Sequence, residues 1–286
     1  MVCLPLQTLV YNRMRIYNTK QRKKRTSRHK KRHTRRNTAR VRKHNGGNND
    51  KNIIISQPWG GLGDNLQFTT LPELYAKQGY NVYISSKNAY RSDELYDLIW
   101  KPNPFIKGIS DLPENAGASK GIGDHGKCYI KNIEISHGLT EGYRIYPVIY
   151  YTPKHVNGIE NYIFYDPTSV SSSPNDTALT TSFKSVFDKY PTLTPMMLKF
   201  KKSYKDIKKH ALPDLNTDIY EIEDIYHFCD VLHSCKALVC GFSGALVLAS
   251  AVKQDSATPE VYSFYSGDSV PHGYNFKNIH YSKLIS

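Results

Sequence analysis

The feature that most constrains the fold is a short run of alternating elements at residues 53–85. The β-branched run Ile53–Ile55 is typical of a strand buried on both faces. A glycine-rich loop at 58–65 follows, apolar residues then recur at helical spacing up to Gly79, and Asn81–Ser85 indicates a second strand. This order predicts a βαβ unit, and hence a parallel sheet with a right-handed crossover, as at the start of a Rossmann-like domain.

The rest of the chain repeats this alternation. Further elements are predicted as a helix at 93–100, strands at 105–109 and 128–135, a strand at 162–165, a helix at 225–232, a strand at 237–240, a helix at 245–252 and a strand at 261–264. The fold class is therefore α/β. The simplest partition is two Rossmann-like domains, an N-terminal one at 51–157 and a C-terminal one at 158–286.

The N-terminal segment differs sharply from this pattern. Residues 1–49 contain sixteen Lys or Arg and no acidic residue, whereas the rest of the chain has 23 basic against 25 acidic residues. Like charges this dense repel one another, which predicts a disordered basic tail at 1–50. The stretch 13–44 suits nuclear targeting, binding to nucleic acid or to an anionic membrane surface, or a solvated tail without a partner. The sequence leaves these alternatives open.

The cysteines and the apolar runs indicate in which cellular compartment the protein resides and whether it spans a membrane. The five cysteines are odd in number and form no CxxC pair, which favours buried free thiols in a reducing, intracellular compartment. The basic tail is compatible with a nuclear or viral setting. The longest uncharged run, 237–252, is shorter than the roughly 17–25 apolar residues of a membrane helix, so no transmembrane segment is expected.

Three loops combine small residues with the expected start of a helix or the end of a strand, where backbone N–H groups can bind phosphate. They comprise Gly60, Gly61 and Gly63; Thr168 and Ser169; and Ser243, Gly244 and Ala245. No Gly-Lys-Ser/Thr follows the first loop, and Leu66 occupies the last glycine position of the dinucleotide-binding pattern. ATPase and dehydrogenase functions are therefore disfavoured.

Asp64 is the main candidate for chemistry. One interpretation makes it the N-cap of the helix that follows, where a carboxylate accepts a backbone N–H. The other places its carboxylate in the crevice at the carboxyl edge of the sheet, where it could take a proton from a hydroxyl nucleophile. The two interpretations are compatible. Asn65 and His137 are also predicted to line this cleft.

These residues resemble glycosyltransferase family 9, the heptosyltransferase-like enzymes. The resemblance rests on Gly60–Leu66 followed by Thr70–Leu74, on Asn103–Ile106, and on Ala237–Val239 followed by Ser243–Gly244 and Leu248–Ala251. It covers about residues 51–255. It implies a GT-B architecture, two Rossmann-like domains that face each other across a cleft, with the acceptor on the N-terminal domain and the nucleotide-sugar on the C-terminal one.

The resemblance also implies roles for individual residues. Asp64 matches the catalytic base, the backbone amides of 243–245 match the diphosphate-binding loop, and Thr168 and Ser169 would line the donor side of the cleft. Two positions depart from the family pattern, since Phe242 replaces its donor-loop Asp and Val247 its His. These departures place ADP-heptose in doubt as the donor.

The resemblance therefore implies an inverting glycosyltransferase that moves a sugar from a nucleotide-sugar to a glycan or other hydroxyl acceptor. The nucleotide-sugar is a co-substrate, and no cofactor is expected. No Asp-x-Asp occurs in the chain, which agrees with a metal-independent reaction and predicts no metal site. The alternative is a non-catalytic Rossmann-like protein that binds a nucleotide or a partner and uses the basic tail to hold nucleic acid.

Overall fold

The computed structural model describes residues 51–117, 127–140, 142–169, 176–202, 208–209 and 215–285. The predicted basic tail and its proposed nucleic-acid or membrane contacts lie outside these ranges. Residues 49–286 form one compact unit. The division at residue 157 remains a prediction, although each half of this unit contributes its own sheet.

The first sheet is built from the N-terminal half. Its elements are β1 Lys51–Ser56, α1 Leu62–Gln67, α2 Leu71–Lys77, β2 Tyr80–Ser85, a π-helical turn Tyr96–Trp100, β3 Ile106–Ser110, β4 Ala116–Gly117 and α3 Tyr129–Ser136. The strands pair in parallel in the order β3-β2-β1-β4. This confirms the βαβ unit predicted from the alternation of elements.

The second sheet is larger and also parallel. Its half contains β5 Tyr162–Asp166, β6 Thr168–Ser169, α4 Asp176–Phe187, β7 Thr194–Phe200, β8 Lys208–Lys209, β9 Asp218–Ile222, α5 Ile225–Ser234, β10 Ala237–Cys240, α6 Gly244–Lys253, β11 Glu260–Tyr265, a 3-10 turn His272–Tyr274 and β12 His280–Lys283. The strand order is β12-β11-β10-β5-β7-β9, while β6 and β8 form a separate antiparallel pair. Numbered within this sheet, the order is that of the Rossmann fold.

Each sheet has a point at which the strand order reverses, between β1 and β4 in the first and between β5 and β10 in the second. Ligands of open α/β sheets bind outside the carboxyl ends of the strands at such points. The glycine loop follows β1, and the loops at 167–169 and 241–243 follow β5 and β10. All three predicted loops therefore stand at topological switch points.

Two predicted elements were wrong. Residues 128–135, predicted as a strand, form α3, because Ile130 and Ile133 are both fully buried at a spacing of three, which only a helix places on one face. The single helix predicted before Gly79 is two helices. The second, α2, starts afresh at Leu71 with Pro72 in its first turn, where the missing N–H costs no hydrogen bond.

Two other expectations concern membrane-spanning helices and the state of the cysteines. None of the helices in the described ranges has both the length and the apolar composition needed to cross a membrane. Cys128, Cys229, Cys235 and Cys240 are free thiols, and the last three are buried.

Candidate active site

The glycine loop after β1 is held in place by Gln57, whose side chain is buried. Its Oε1 accepts hydrogen bonds from the backbone N–H groups of Trp59 and Gly60 at 2.9 and 3.2 Å, and its Nε2 donates to the Ala89 carbonyl at 2.9 Å. Gly60 has φ of +71°, a left-handed conformation that favours glycine. One buried amide therefore fixes the path of the loop.

Asn65 completes this support from the first helix. Its Nδ2 donates to the Gly61 carbonyl at 3.0 Å, and its Oδ1 accepts from Asn88 Nδ2 at 3.2 Å and from Trp100 Nε1 at 3.0 Å. Asn65 is fully buried. It was predicted to line the cleft, and the structure instead makes it a buried residue that positions the loop.

Asp64 lies in the first turn of α1. The N-cap is Gly61 and not Asp64, since the carboxylate reaches back three residues and its Oδ2 accepts the Gly61 N–H at 3.1 Å. Among the described residues, Oδ1 accepts no hydrogen bond. The side chain is partly buried. One oxygen thus fixes the carboxylate through the Gly61 N–H.

Asp64 interacts electrostatically with three groups outside its loop, since Arg91 acts on Asp64 and Asp64 acts on Tyr129 and Tyr274. Burial raises the pKa of Asp64, while the Gly61 N–H and the positive charge of Arg91 oppose this shift. Burial, and next the charge of Asp64, raise the pKa of Tyr129 to about 12, and the same two causes raise the pKa of Tyr274. Tyr129 belongs to the N-terminal half and Tyr274 to the C-terminal half, so both halves surround this carboxylate.

Replacing Arg91 with Gln is expected to shift the acid limb of the pH profile of kcat/KM to higher pH. Arg91 stabilises the ionised carboxylate of Asp64, so its removal raises the pKa of that group, and a carboxylate can take up a proton only when it is ionised. Measuring turnover across the acid range for both proteins tests this. An unchanged or lowered acid limb would show that Arg91 does not act on the titrating group.

The second loop begins at Asp166, the last residue of β5. Its Oδ1 accepts from the backbone N–H of Thr168 at 2.8 Å and from Thr168 Oγ1 at 2.5 Å. The Thr168–Ser169 strand pairs with the backbone of Lys208–Lys209. In the sheet register Asp166 lies opposite Cys240, the last residue of β10. The structure thus brings the predicted donor loops, at Thr168–Ser169 and at 243–245, to the same switch point.

Replacing Asp166 with Asn is expected to stabilise the protein above about pH 6 and to have little effect at about pH 4. Burial raises the pKa of Asp166 to about 6 from 3.8, so the folded state favours the protonated form, and stability from this group falls as the pH rises through about 6. An Asn can still accept both Thr168 hydrogen bonds. Urea unfolding should show up to ~3 kcal/mol of added stability at about pH 8 and little at about pH 4. Equal effects at both pH values would contradict this.

The third loop ends at Ser243, the N-cap of α6. Its Oγ is buried and has no hydrogen-bond partner among the described residues. The backbone N–H groups of Gly244 and Ala245 fall in the first turn, where a helix leaves its N–H groups without intrahelical acceptors. Unpaired donors at a helix N-terminus favour an anion.

The first and third loops meet. A methyl group placed on Gly244 would lie 3.1 Å from Leu62 Cβ and 3.3 Å from the backbone nitrogen of Gly63, and one placed on Gly63 would lie 3.2 Å from Val247 Cγ2. The first turns of α1 and α6 are therefore in direct contact through glycine. This contact puts the loop that carries Asp64 beside the N-terminus of α6.

Three solved structures of glycosyltransferases match the fold of this chain. A family 9 glycosyltransferase from Veillonella parvula matches with a TM-score of 0.54 and 10% sequence identity, over 82% of this chain and 85% of that one. The iron-containing heptosyltransferase TibC in complex with ADP-D-β-D-heptose matches with a TM-score of 0.53 and 14% identity, over 79% of this chain and 61% of that one. The same enzyme from enterotoxigenic E. coli gives a TM-score of 0.51 at 14% identity, over 78% and 60%.

This chain has the fold of these glycosyltransferases. The resemblance to family 9 drawn from the sequence motifs is thereby confirmed at the level of the fold. The chain spans about three fifths of the length of TibC. No family model and no curated protein matches its sequence.

Val247 and Phe242, the two positions that depart from the family pattern, pack against neighbouring residues of the protein. Val247 is fully buried against Gly63, so it contributes to the contact between the two halves. The ring of Phe242 lies 5.2 Å from that of Tyr274 and is stacked with that of Tyr281 at 6.3 Å. Apolar packing therefore occupies the places where family 9 has an Asp and a His.

His137 does not have the exposed position expected of a cleft residue. It is 7% exposed, its Nδ1 is 3.0 Å from the hydroxyl oxygen of Tyr75, and its ring lies edge-on to that of Phe68. It stands at the C-terminal end of α3, and packing with these two rings accounts for its burial.

The described residues also bear on metal binding. No group of three or more His, Cys, Asp or Glu side chains within those ranges could hold a metal ion.

Sequence reasoning missed Arg91, Tyr129, Tyr274 and Asp166. Arg91 could have been found, since it follows the second strand, whose carboxyl end lies beside that of β1 in a parallel sheet. Asp166 could also have been found, as the carboxylate that ends a buried strand before Thr168. Tyr129 and Tyr274 have no comparable signal. The sequence predicts a strand at 128–135, and Tyr274 lies in no predicted element.

Proposed function

We propose that the chain is a glycosyltransferase that moves a sugar from a nucleotide-sugar to a hydroxyl acceptor, with inversion and without a metal ion. The observation that carries this proposal is the contact of Gly63 with Gly244, which sets the Asp64 loop against the N-terminus of α6. A base and an anion-binding helix end thereby stand side by side at the switch points of two parallel sheets.

Asp64 is proposed as the general base. Its Oδ2 is held by the Gly61 N–H, which leaves Oδ1 to accept the proton of the acceptor hydroxyl. The acceptor oxygen then bonds to the anomeric carbon while the bond from that carbon to the diphosphate oxygen breaks, and the electron pair leaves with the diphosphate. Burial raises the pKa of Asp64 toward the pH at which a base works best.

The first turn of α6 is proposed to bind the diphosphate. The N–H groups of Gly244 and Ala245 and the unpaired Oγ of Ser243 can donate to its oxygens. They stabilise the charge that develops on the leaving group. Thr168 and Ser169, which follow β5, are proposed to complete the donor side, since β5 pairs with β10 at this switch point.

The donor base is left open in this proposal. TibC binds ADP-D-β-D-heptose, but apolar packing occupies two positions at which family 9 has polar side chains. These two replacements leave room for a donor with another nucleotide or another sugar. The acceptor is proposed to bind on the N-terminal half, on the side of Asp64.

The test is consumption of nucleotide-sugars by the full chain. ADP-, UDP- and GDP-sugars are incubated with a mixture of glycans in the presence of EDTA, and NMR gives the anomeric configuration of the product. The proposal predicts release of one nucleoside diphosphate and an inverted product. Nucleotide binding without consumption of any donor would contradict it and favour the non-catalytic alternative.

A further inference from the structure

Asp64 lies where elements of both halves converge. The helix α3, which begins at Tyr129, contacts α1 and also the 3-10 turn that ends at Tyr274. Helix α6 contacts α1 from the C-terminal half. The helix that carries Asp64 therefore belongs to a junction to which α1 and α3 come from one half, and α6 and the 3-10 turn from the other.

Two tyrosines of this junction are close to the carboxylate and to each other. The charge of Asp64 raises the pKa of both Tyr129 and Tyr274, and Tyr274 also acts on Tyr129. A Coulomb interaction weakens with distance and with intervening water, so these effects need short separations. Neither hydroxyl donates to Asp64, because the Gly61 N–H is the one donor to this carboxylate within the described ranges. Both tyrosine side chains are partly buried.

Tyr274 is held in place from the C-terminal half. Its ring packs on that of Phe242 with 5.2 Å between the centroids, and Phe242 directly precedes Ser243, the N-cap of α6. The Tyr274 carbonyl accepts a hydrogen bond from the hydroxyl of Tyr281, whose ring is stacked with that of Phe242. The aromatic residue at the position of the family's donor-loop Asp thus holds Tyr274 at the junction that contains Asp64.

Burial is the largest influence on the pKa of Asp64, and it raises that pKa. Arg91, the one charged side chain in the described ranges that acts on Asp64, is exposed and has the opposite effect. Helix α6 has no titratable side chain in its first turn, and Lys131 and Glu134 of α3 form an ion pair at 3.0 Å. The raised pKa therefore comes from the loss of water around the carboxylate, which aromatic rings beside it produce.

We propose that Tyr129 and Tyr274 form a wall, one ring from each half, that keeps water away from the Asp64 carboxylate. The wall is complete only where the two halves meet, so the basicity of Asp64 depends on the assembled junction. The role of the wall in transfer rests on the proposed function, in which a base works best when its pKa lies near the working pH. Its effect on the carboxylate does not depend on that function.

Titration of Asp64 by NMR tests the wall without turnover. The full chain is labelled with carbon-13 in the aspartate side-chain carboxyls, and the signal lost in Asp64→Asn identifies Asp64. Tyr129→Ala and Tyr274→Ala should each lower the midpoint of this titration toward 3.8, the ordinary value of an aspartate. Tyr129→Phe and Tyr274→Phe keep the rings and should leave the midpoint unchanged. In kinetics the alanine variants should move the acid limb of kcat/KM to lower pH.

Tyr220→Ala is the matched control. Tyr220 is a partly buried tyrosine on β9 whose ring lies 5.1 Å from that of Phe164, and burial raises its pKa without any contribution from Asp64. Its replacement should leave the Asp64 midpoint unchanged. Phe242→Ala keeps both tyrosines and removes the ring on which Tyr274 packs, so it should lower the midpoint by less than Tyr274→Ala. This variant tests the wall if Tyr274→Ala does not fold by circular dichroism.

The outcomes separate the wall from the transferase. A lowered midpoint in the alanine variants, without consumption of any nucleotide-sugar by the wild type, would support the wall and contradict the transferase. Consumption of donors with an unchanged midpoint in folded Tyr129→Ala and Tyr274→Ala would overturn the wall and leave the transferase standing. A raised midpoint in either phenylalanine variant would also overturn the wall, since it would show that a hydroxyl stabilises the ionised carboxylate.

Discussion

Asp64→Asn is expected to lower sugar transfer by about 10²- to 10⁴-fold, the range that a positioned general base contributes. The amide oxygen can still accept the Gly61 N–H, so the first turn of α1 should keep its geometry. The amide cannot accept a proton at any working pH. Initial rates measured with a saturating nucleotide-sugar and glycan test this directly, and circular dichroism should show an unchanged fold.

Asp97→Asn is the control for this variant. Asp97 is an exposed carboxylate in the same half of the chain and pairs with Lys101 at 3.0 Å. Its replacement removes a similar charge without touching the glycine loop, and transfer should stay within about twofold. If Asp64→Asn retained the rate of Asp97→Asn, the carboxylate would not be the base.

Gly61→Ala is expected to reduce transfer about 100-fold, the effect of a misplacement of about 1 Å in a catalytic group. A methyl group on Gly61 would lie 2.5 Å from Asp64 Oδ2, so the carboxylate has to leave its position. The φ of Gly61 is −72°, which alanine adopts without strain. The variant should therefore fold. Its kcat should fall, while thermal unfolding should show a stability close to that of the wild type.

Gly267→Ala is the matched control for this substitution. Gly267 lies in the turn after β11, outside the three loops, and beyond its chain neighbours a methyl group there would come no closer than 4.0 Å to another atom, the backbone oxygen of Ser269. It should leave transfer and stability nearly unchanged. Full activity of Gly61→Ala, or an equal loss in both variants, would show that the position of the Asp64 carboxylate does not govern the rate.

Much of the fold could be predicted because local patterns agree with the tertiary structure. The Ile53–Ile55 run and the all-apolar 237–240 are buried strands, and the residues that follow them stand at switch points. The prediction failed at 128–135, where Ile133 and Ile135 alternate as in a strand, whereas Ile130 and Ile133 have helical spacing. The helix is stabilised by packing against the core, and the sequence of a short segment does not reveal such packing.

The site could be predicted only in part. Asp64 and Ser243 stand out because each belongs to a loop of small residues beside a strand end. The role of Asn65 could not be predicted, since it depends on Asn88 and Trp100, which are distant in the sequence. The contact of Gly63 with Gly244 likewise exists only after both sheets have formed.

We propose that the Asp64 loop and the N-terminus of α6 form one site. A crystal structure of the full chain with ADP, UDP or GDP, whichever binds, tests this arrangement. We expect diphosphate oxygens to accept hydrogen bonds from the N–H groups of Gly244 and Ala245, with the Asp64 carboxylate facing the terminal phosphate. A nucleotide bound away from α6, or an Asp64 side chain turned away from the nucleotide, would show that the two loops do not form one site.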